Sequence, residues 1–178
     1  MNTDKRQRPL PDIFSFTHDQ FVEAAFQRYG KTAHYSSPVY RQIMKNGQTD
    51  LSLLDPAGRI SQWPDHPETD GGPIRGKVVK RIEDGGVAKF VTRLTDGLDI
   101  ESVIIPMHRR QTLCVSSQAG CRMGCRFCRT GKMGLIRNLD AAEIVEQVFA
   151  ARHQLGVDVR NVVFMGMGEP LDNLDNVV

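Results

Sequence analysis

Four cysteines stand at positions 114, 121, 125 and 128, and the first 113 residues contain none. Four thiols within fifteen positions point to a metal site rather than to the dispersed pairs of a secreted disulfide scaffold. The inner three are spaced Cys121-x-x-x-Cys125-x-x-Cys128 in one short segment. Three thiolates on a four-iron cluster leave one iron without a protein ligand, and an open metal position is what binds substrate in catalytic sites generally. Gly120 and Gly124 suit a loop that curls tightly around such a group. With Cys114 as a fourth ligand the same residues could instead hold structural zinc. The x3/x2 spacing is not a common zinc arrangement, and ferredoxin-type runs use x2 spacings.

A second anchor is Gly166-Met167-Gly168-Glu169-Pro170, directly after the apolar run Val162-Val163-Phe164-Met165. Glycines let a backbone approach a ligand, and a glutamate accepts hydrogen bonds from an ammonium group. Alone, such a turn reads as an ordinary strand-terminal loop. One βα step after a cysteine triplet with an open iron, it reads as the partner of a chelating amino acid. The methionyl tail of S-adenosylmethionine (SAM) has the required amino and carboxylate groups. One electron from a reduced cluster can break its carbon–sulfur bond.

The elements that would position these residues follow from periodicity. Thr17 caps a helix with Asp19 in its first turn and Phe21, Val22, Ala25 and Phe26 at helical spacing, stopped by Gly30. A second helix is predicted over Pro38–Lys45, ending at Asn46-Gly47. Residues 1–12 read as a loose end, and 56–76, with prolines 56, 64, 67 and 73, as a loop. Strands are predicted at 78–82, 88–94 and 100–105, with turns at Asp84-Gly85-Gly86 and Thr95-Asp96-Gly97. Thr112-Leu113-Cys114-Val115 is a short strand. Asp140 and Glu143 form a capping box for a helix whose face is Ile144, Val148, Ala151 and Leu155, ended by Gly156. The run 162–165 reads as a parallel strand buried on both faces. The second half is thus a βαβ unit, with chemistry expected beyond the carboxyl ends of its strands. The expected division is an α+β region over 1–106 and an α/β core over 107–178.

Composition adds bounds. The chain has 178 residues, 40% hydrophobic and 25% charged, with formal net charge +2, so overall charge selects no partner. From 102 to 139 there are seven Lys or Arg (109, 110, 122, 126, 129, 132, 137) and no Asp or Glu. Such a stretch attracts anions, or is a solvated basic face. The polar N-terminus has no signal-peptide pattern, and no segment approaches the roughly 18 apolar residues of a membrane span. The expectation is a cytoplasmic protein.

Thr112–Gln118, the triplet with Phe127, Arg137-Asn138-Leu139 and Phe164–Leu171 together resemble the radical SAM RNA (adenine-2 or adenine-8) methyltransferases, of the RlmN/Cfr type. The resemblance covers about residues 98–178. It implies the start of a radical SAM partial (βα) barrel behind a small α+β accessory region of RNA-binding kind. It implies a [4Fe-4S] cluster on Cys121, Cys125 and Cys128, and SAM bound by Gly168 and Glu169. Glu101 matches the family's proton acceptor and Cys114 its reactive cysteine, which resolves a protein–RNA cross-link through a transient disulfide with a distal methyl-carrying cysteine. A lowered thiol pKa at Cys114, supplied by Arg109 or Arg110, would aid that attack. The implied partners are ribosomal or transfer RNA and a reducing donor such as flavodoxin or ferredoxin. Arg129 and Lys132-Met133 depart from the family pattern beside the cluster. The later strands and the distal cysteine would lie beyond Val178, so the chain is expected to be part of a longer protein. A radical SAM enzyme with another substrate, and a non-catalytic metal-binding module, are the alternatives.

Overall fold

The structure, a computed structural model, describes residues 13–49, 75–108 and 110–178. The expected loose end at 1–12 and most of the expected loop at 56–76 lie outside these residues. The chain forms two compact units, Met1–Ile74 and Arg75–Val178.

In the first unit α1 (His18–Tyr29) starts at Thr17. The Thr17 side chain accepts from the Gln20 N–H, and the Gln20 side chain returns the bond to the Thr17 N–H at 2.9 Å. Gly30, at φ 64, ends the helix as expected. Phe21 and Ala25 are buried, whereas Phe26, expected on the same face, is 52% exposed. Helix α2 (Ala33–Asn46) starts five residues before the expected position and carries Pro38 inside it. Proline favours a first turn, but here the start is set at Thr32 and the ring sits in the second turn, at the cost of one backbone bond. Val39 and Ile43 are buried, and the Tyr40 hydroxyl donates to the Phe16 carbonyl at 2.8 Å.

The second unit is built on a five-stranded sheet. Its strands are β1 (Lys77–Asp84), β2 (Val87–Arg93), β3 (Asp99–Met107), β4 (Arg110–Cys114) and β7 (Val159–Val163), in the order β1-β2-β3-β4-β7. The first four run antiparallel, and β4 pairs with β7 in parallel. Pro106 does not end the sheet: β3 runs through it and pairs Pro106 with Gln111 of β4. The three strands assigned to the accessory region therefore share a sheet with the core, and the chain divides into its units between Ile74 and Arg75 rather than near Pro106. A short sheet with one apolar face must bury that face, and here the burial is supplied by the core helix.

That helix, α3 (Ala141–Phe149), begins with the expected capping box. Asp140 accepts the Glu143 N–H at 2.8 Å, and Glu143 accepts the Asp140 N–H at 3.0 Å. Its last turn widens into a π turn over Ala150–Gln154, closed by Leu155 N–H to Ala150 carbonyl, before Gly156. Ala150 and Ala151 pack on Phe90, Ile104, Leu113 and Val159. A second cluster joins Leu94, Ile100, Ala119, Leu139, Ile144 and Met167.

Two features differ from expectation. Strand β7 starts three residues earlier than the predicted run and is not buried on both faces; Val162 is 43% exposed. Among the described residues β7 has one hydrogen-bonded neighbour and is an edge. The cysteine segment is also not a bare loop. It hangs on a hairpin of β5 (Gln118–Cys121) and β6 (Gly134–Asn138).

Candidate cluster and cofactor site

Cys121 is the last residue of β5 and pairs with Gly134 across the hairpin. Cys125 and Cys128 lie in the connecting segment, where the Cys128 N–H donates to the Cys125 carbonyl at 3.0 Å. Cys121 is buried, Cys128 half-buried and Cys125 exposed, and all four cysteines of the chain are free thiols. The backbone N–H of Gly131, with those of Thr130 and its hydroxyl, holds the Cys128 thiol below the usual cysteine range. A sulfur that collects N–H donors is stabilised as thiolate, the form that ligates metal. Among the described residues no three His, Cys, Asp or Glu converge on a single-ion site. In an iron–sulfur cube each cysteine takes a different iron, so the thiolates need not share one point. The donor set fits such a cluster.

The strand ends supply the facing wall. Parallel pairing of β4 with β7 continues past Cys114: Val115 N–H donates to Val163, and Gly166 N–H to Val115. Ser117 and Gln118 N–H groups both reach the Met167 carbonyl, at 2.9 and 3.2 Å. A Cβ on Gly166 would meet the Val115 carbonyl oxygen at 2.7 Å, and one on Gly168 would meet Gln118 Cβ at 2.6 Å. The absent side chain at Gly168 is what lets this loop pack closely on Gln118. Glu169 is half-buried at the end of this loop. Its carboxylate accepts the Leu171 N–H at 3.2 Å and leads into the turn Pro170–Asn173.

Glu101 and Cys114 share one face of the sheet. Val103, two residues on from Glu101, pairs with Cys114, and alternate residues of a strand point the same way. The other face carries Ser102, which donates to Gln147 of α3 at 2.9 Å. Glu101 is exposed and ion-paired with Lys89 at 2.9 Å. Cys114 is 5% exposed, and burial pushes its thiol up against a smaller opposing pull from the Met165 backbone. The expectation of a lowered Cys114 pKa is overturned: desolvation disfavours the thiolate. Arg110 begins β4, four residues away, and Arg109 lies outside the described residues. Metal-free protein treated with iodoacetamide is therefore expected to be labelled at Cys125 and Cys128 about tenfold or more faster than at Cys114. Peptide mass spectrometry reads this directly, and equal rates would contradict the placement.

The basic stretch divides. Arg122 pairs with Asp172, and Arg137 grips both carboxylate oxygens of Glu143 at 2.7 and 2.8 Å while also reaching Asp96. Both are engaged in ion pairs within the unit, Arg122 at the surface and Arg137 partly buried. Arg126, Arg129 and Lys132 are exposed on the cysteine segment.

Sequence reasoning assigned no role to the polar residues that lock this site. Gln147 is fully buried; its amide accepts from Ser102 and the Ser116 N–H and donates to the Ser116 carbonyl. Asn173 donates to the carbonyls of Ser117 and Leu139, both at 2.8 Å. Gln118 joins three segments at once. The available signal was an amide inside an otherwise small or apolar run, where burial requires a full set of partners.

A cysteine hairpin and a Gly-Met-Gly-Glu loop, set at the carboxyl end of a parallel βαβ pair, define a radical SAM core. Residues 115–178 match the model of the radical SAM superfamily. The chain is 60% identical over 167 residues to the dual-specificity RNA methyltransferase RlmN of Geotalea uraniireducens, covering 94% of this chain and 48% of that protein. It is 42% identical over 173 residues to the probable dual-specificity RNA methyltransferase RlmN 1 of Protochlamydia amoebophila, covering 96% and 47%. The crystal structure of a radical SAM methyltransferase from Sphaerobacter thermophilus matches with TM-score 0.77 and 30% identity, over 92% of this chain and 48% of that one. Along nearly all its length the chain is thus similar to RNA methyltransferases of the RlmN type and to a radical SAM methyltransferase structure, and it spans about half the length of the curated relatives it matches.

Proposed function

We propose that this chain is the N-terminal part of an enzyme that methylates an adenine ring carbon, 2 or 8, in ribosomal or transfer RNA. The observation that carries the reading is the joining of the cysteine hairpin to the Gly166–Glu169 loop, beside a sheet face that presents Glu101 and Cys114 together. Cys121, Cys125 and Cys128 hold a [4Fe-4S] cluster, supported by the donors around Cys128. Gly168 and Glu169 bind SAM, and Glu169 takes its methionyl ammonium. When bound, the reduced cluster supplies the electron that splits SAM into methionine and a carbon radical. Radical chemistry is required because an adenine ring carbon has no nucleophilic character.

The chain's own residues do the rest of the local work. Glu101 accepts a proton at its carboxylate, and Lys89 holds that carboxylate in place before transfer. Cys114 resolves the protein–RNA cross-link. The substrate adenine is extruded, as bases acted on by enzymes generally are, from a looped or unstacked region. Exposed Arg126, Arg129 and Lys132 suit an acidic one-electron donor or RNA phosphates. Four free thiols suit a reducing compartment such as the cytoplasm.

Mass spectrometry of RNA from a strain lacking the gene tests the reading. Loss of one methyladenine, restored by the gene, is the expected result. Unchanged RNA modification would remove the proposal. Anaerobic reconstitution separates the metal alternatives: a brown, SAM-cleaving protein is expected, and a colourless zinc protein would overturn it.

A further inference from the structure

Gln118 is fully buried and sits where three segments meet. Its Oε1 accepts the backbone N–H of Glu169 at 2.9 Å. Its Nε2 donates to Asn138 Oδ1 at 2.8 Å, across the β5–β6 hairpin, and to Asp172 Oδ2 at 3.1 Å. Its Cβ and Cγ fill the space that a side chain on Gly168 would need. The amide uses both hydrogens and its oxygen, so no other residue type satisfies all three partners. Arg122, next to Cys121, adds a second strut to the same Asp172. These struts hold together the hairpin whose strand β5 ends in Cys121 and the loop that reaches Glu169.

We propose that Gln118 is a positioning residue that sets the spacing between the cysteine hairpin and the Glu169 backbone, so that one SAM tail can reach the cluster and Glu169 together. This rests on the radical SAM reading above. Gln118 touches neither the cysteines nor a reacting atom; it acts through the two segments it joins.

The isosteric substitution Gln118→Glu isolates the effect. Its first oxygen still accepts from Glu169, but its second meets Asn138 Oδ1 and the Asp172 carboxylate as an acceptor facing acceptors. Breaking a buried hydrogen bond to a charged group changes affinity by about 10- to 100-fold. In anaerobically reconstituted protein, Gln118→Glu is expected to retain iron content and the SAM-free electron paramagnetic resonance signal of the reduced cluster. Calorimetric SAM affinity is expected to fall by about 10- to 100-fold, with loss of the spectral change that SAM induces. Adding Asp172→Asn gives the introduced carboxylate a donor and is expected to recover part of that affinity. If the parent protein itself shows no SAM-induced spectral change, the proposed function fails. If the parent shows it and Gln118→Glu binds SAM equally well, the positioning role is overturned. Loss of iron in Gln118→Glu, or no recovery in the double variant, would likewise overturn it by making Gln118 a structural residue of the hairpin.

Discussion

Cys128→Ala is expected to abolish iron uptake and SAM cleavage in the reconstituted protein while leaving the metal-free fold intact. The loss should exceed the roughly 10- to 100-fold that removing an outer-shell partner of a metal costs, because a ligand itself is gone. Cys128 is half-buried in a connecting segment, outside both core clusters, so little apolar burial is lost. The donors from Gly131 and Thr130 that favour its thiolate have no sulfur to act on in the variant. The control is Cys114→Ala. Cys114 ends β4 on the sheet, seven positions before the triplet, and its removal is expected to leave iron content unchanged. Iron and sulfide analysis with the visible spectrum of both variants checks the pair. If Cys114→Ala lost the metal as completely as Cys128→Ala, a four-cysteine site would replace the three-cysteine cluster.

Gly120→Ala is expected to unfold the hairpin and with it the site. Gly120 stands at φ +81, and a Cβ there would meet the Gly134 carbonyl oxygen at 2.0 Å, which is backbone and cannot swing aside. The register of β5 on β6 shifts between Ala119 and Gly120, so the bend that turns Cys121 toward the connecting segment is made at this residue. A left-handed conformation costs an L-residue about 1–2 kcal/mol, and overpacking adds about 1–3 kcal/mol. A total loss of about 2–5 kcal/mol is a large part of a small domain's stability. Denaturant melts of the metal-free protein should show it as a lower midpoint, and reconstitution should yield little cluster. Parent-like stability in Gly120→Ala would mean that the hairpin relaxes around the added methyl group.

Local signals were the legible part. The Thr17 and Asp140 caps, the glycine stops at 30, 47 and 156, and the alternation of β2 and β3 are encoded within a few residues, and each stands where its pattern places it. The cysteine spacing and the Gly-Met-Gly-Glu motif named the chemistry because few chemistries need those residue types so arranged. The earlier start of α2 is not legible because a proline's preference for the first turn is a local bias, whereas the helix begins after Thr32 and buries Ser36 ahead of the proline.

What the sequence by itself determined is the class of chemistry to propose: three thiols spaced to leave one iron of a cluster open, and a glutamate one βα step away. Only the tertiary structure decided how those parts are held. It carried the sheet through Pro106, turned the cysteine segment into a hairpin, and buried Cys114 so that its thiol is raised rather than lowered. It also drew Gln118, Gln147 and Asn173 into the joints between segments that lie 20 to 56 positions apart. Desolvation and amide pairing depend on which distant segments close over a residue, and no short window of sequence contains that information.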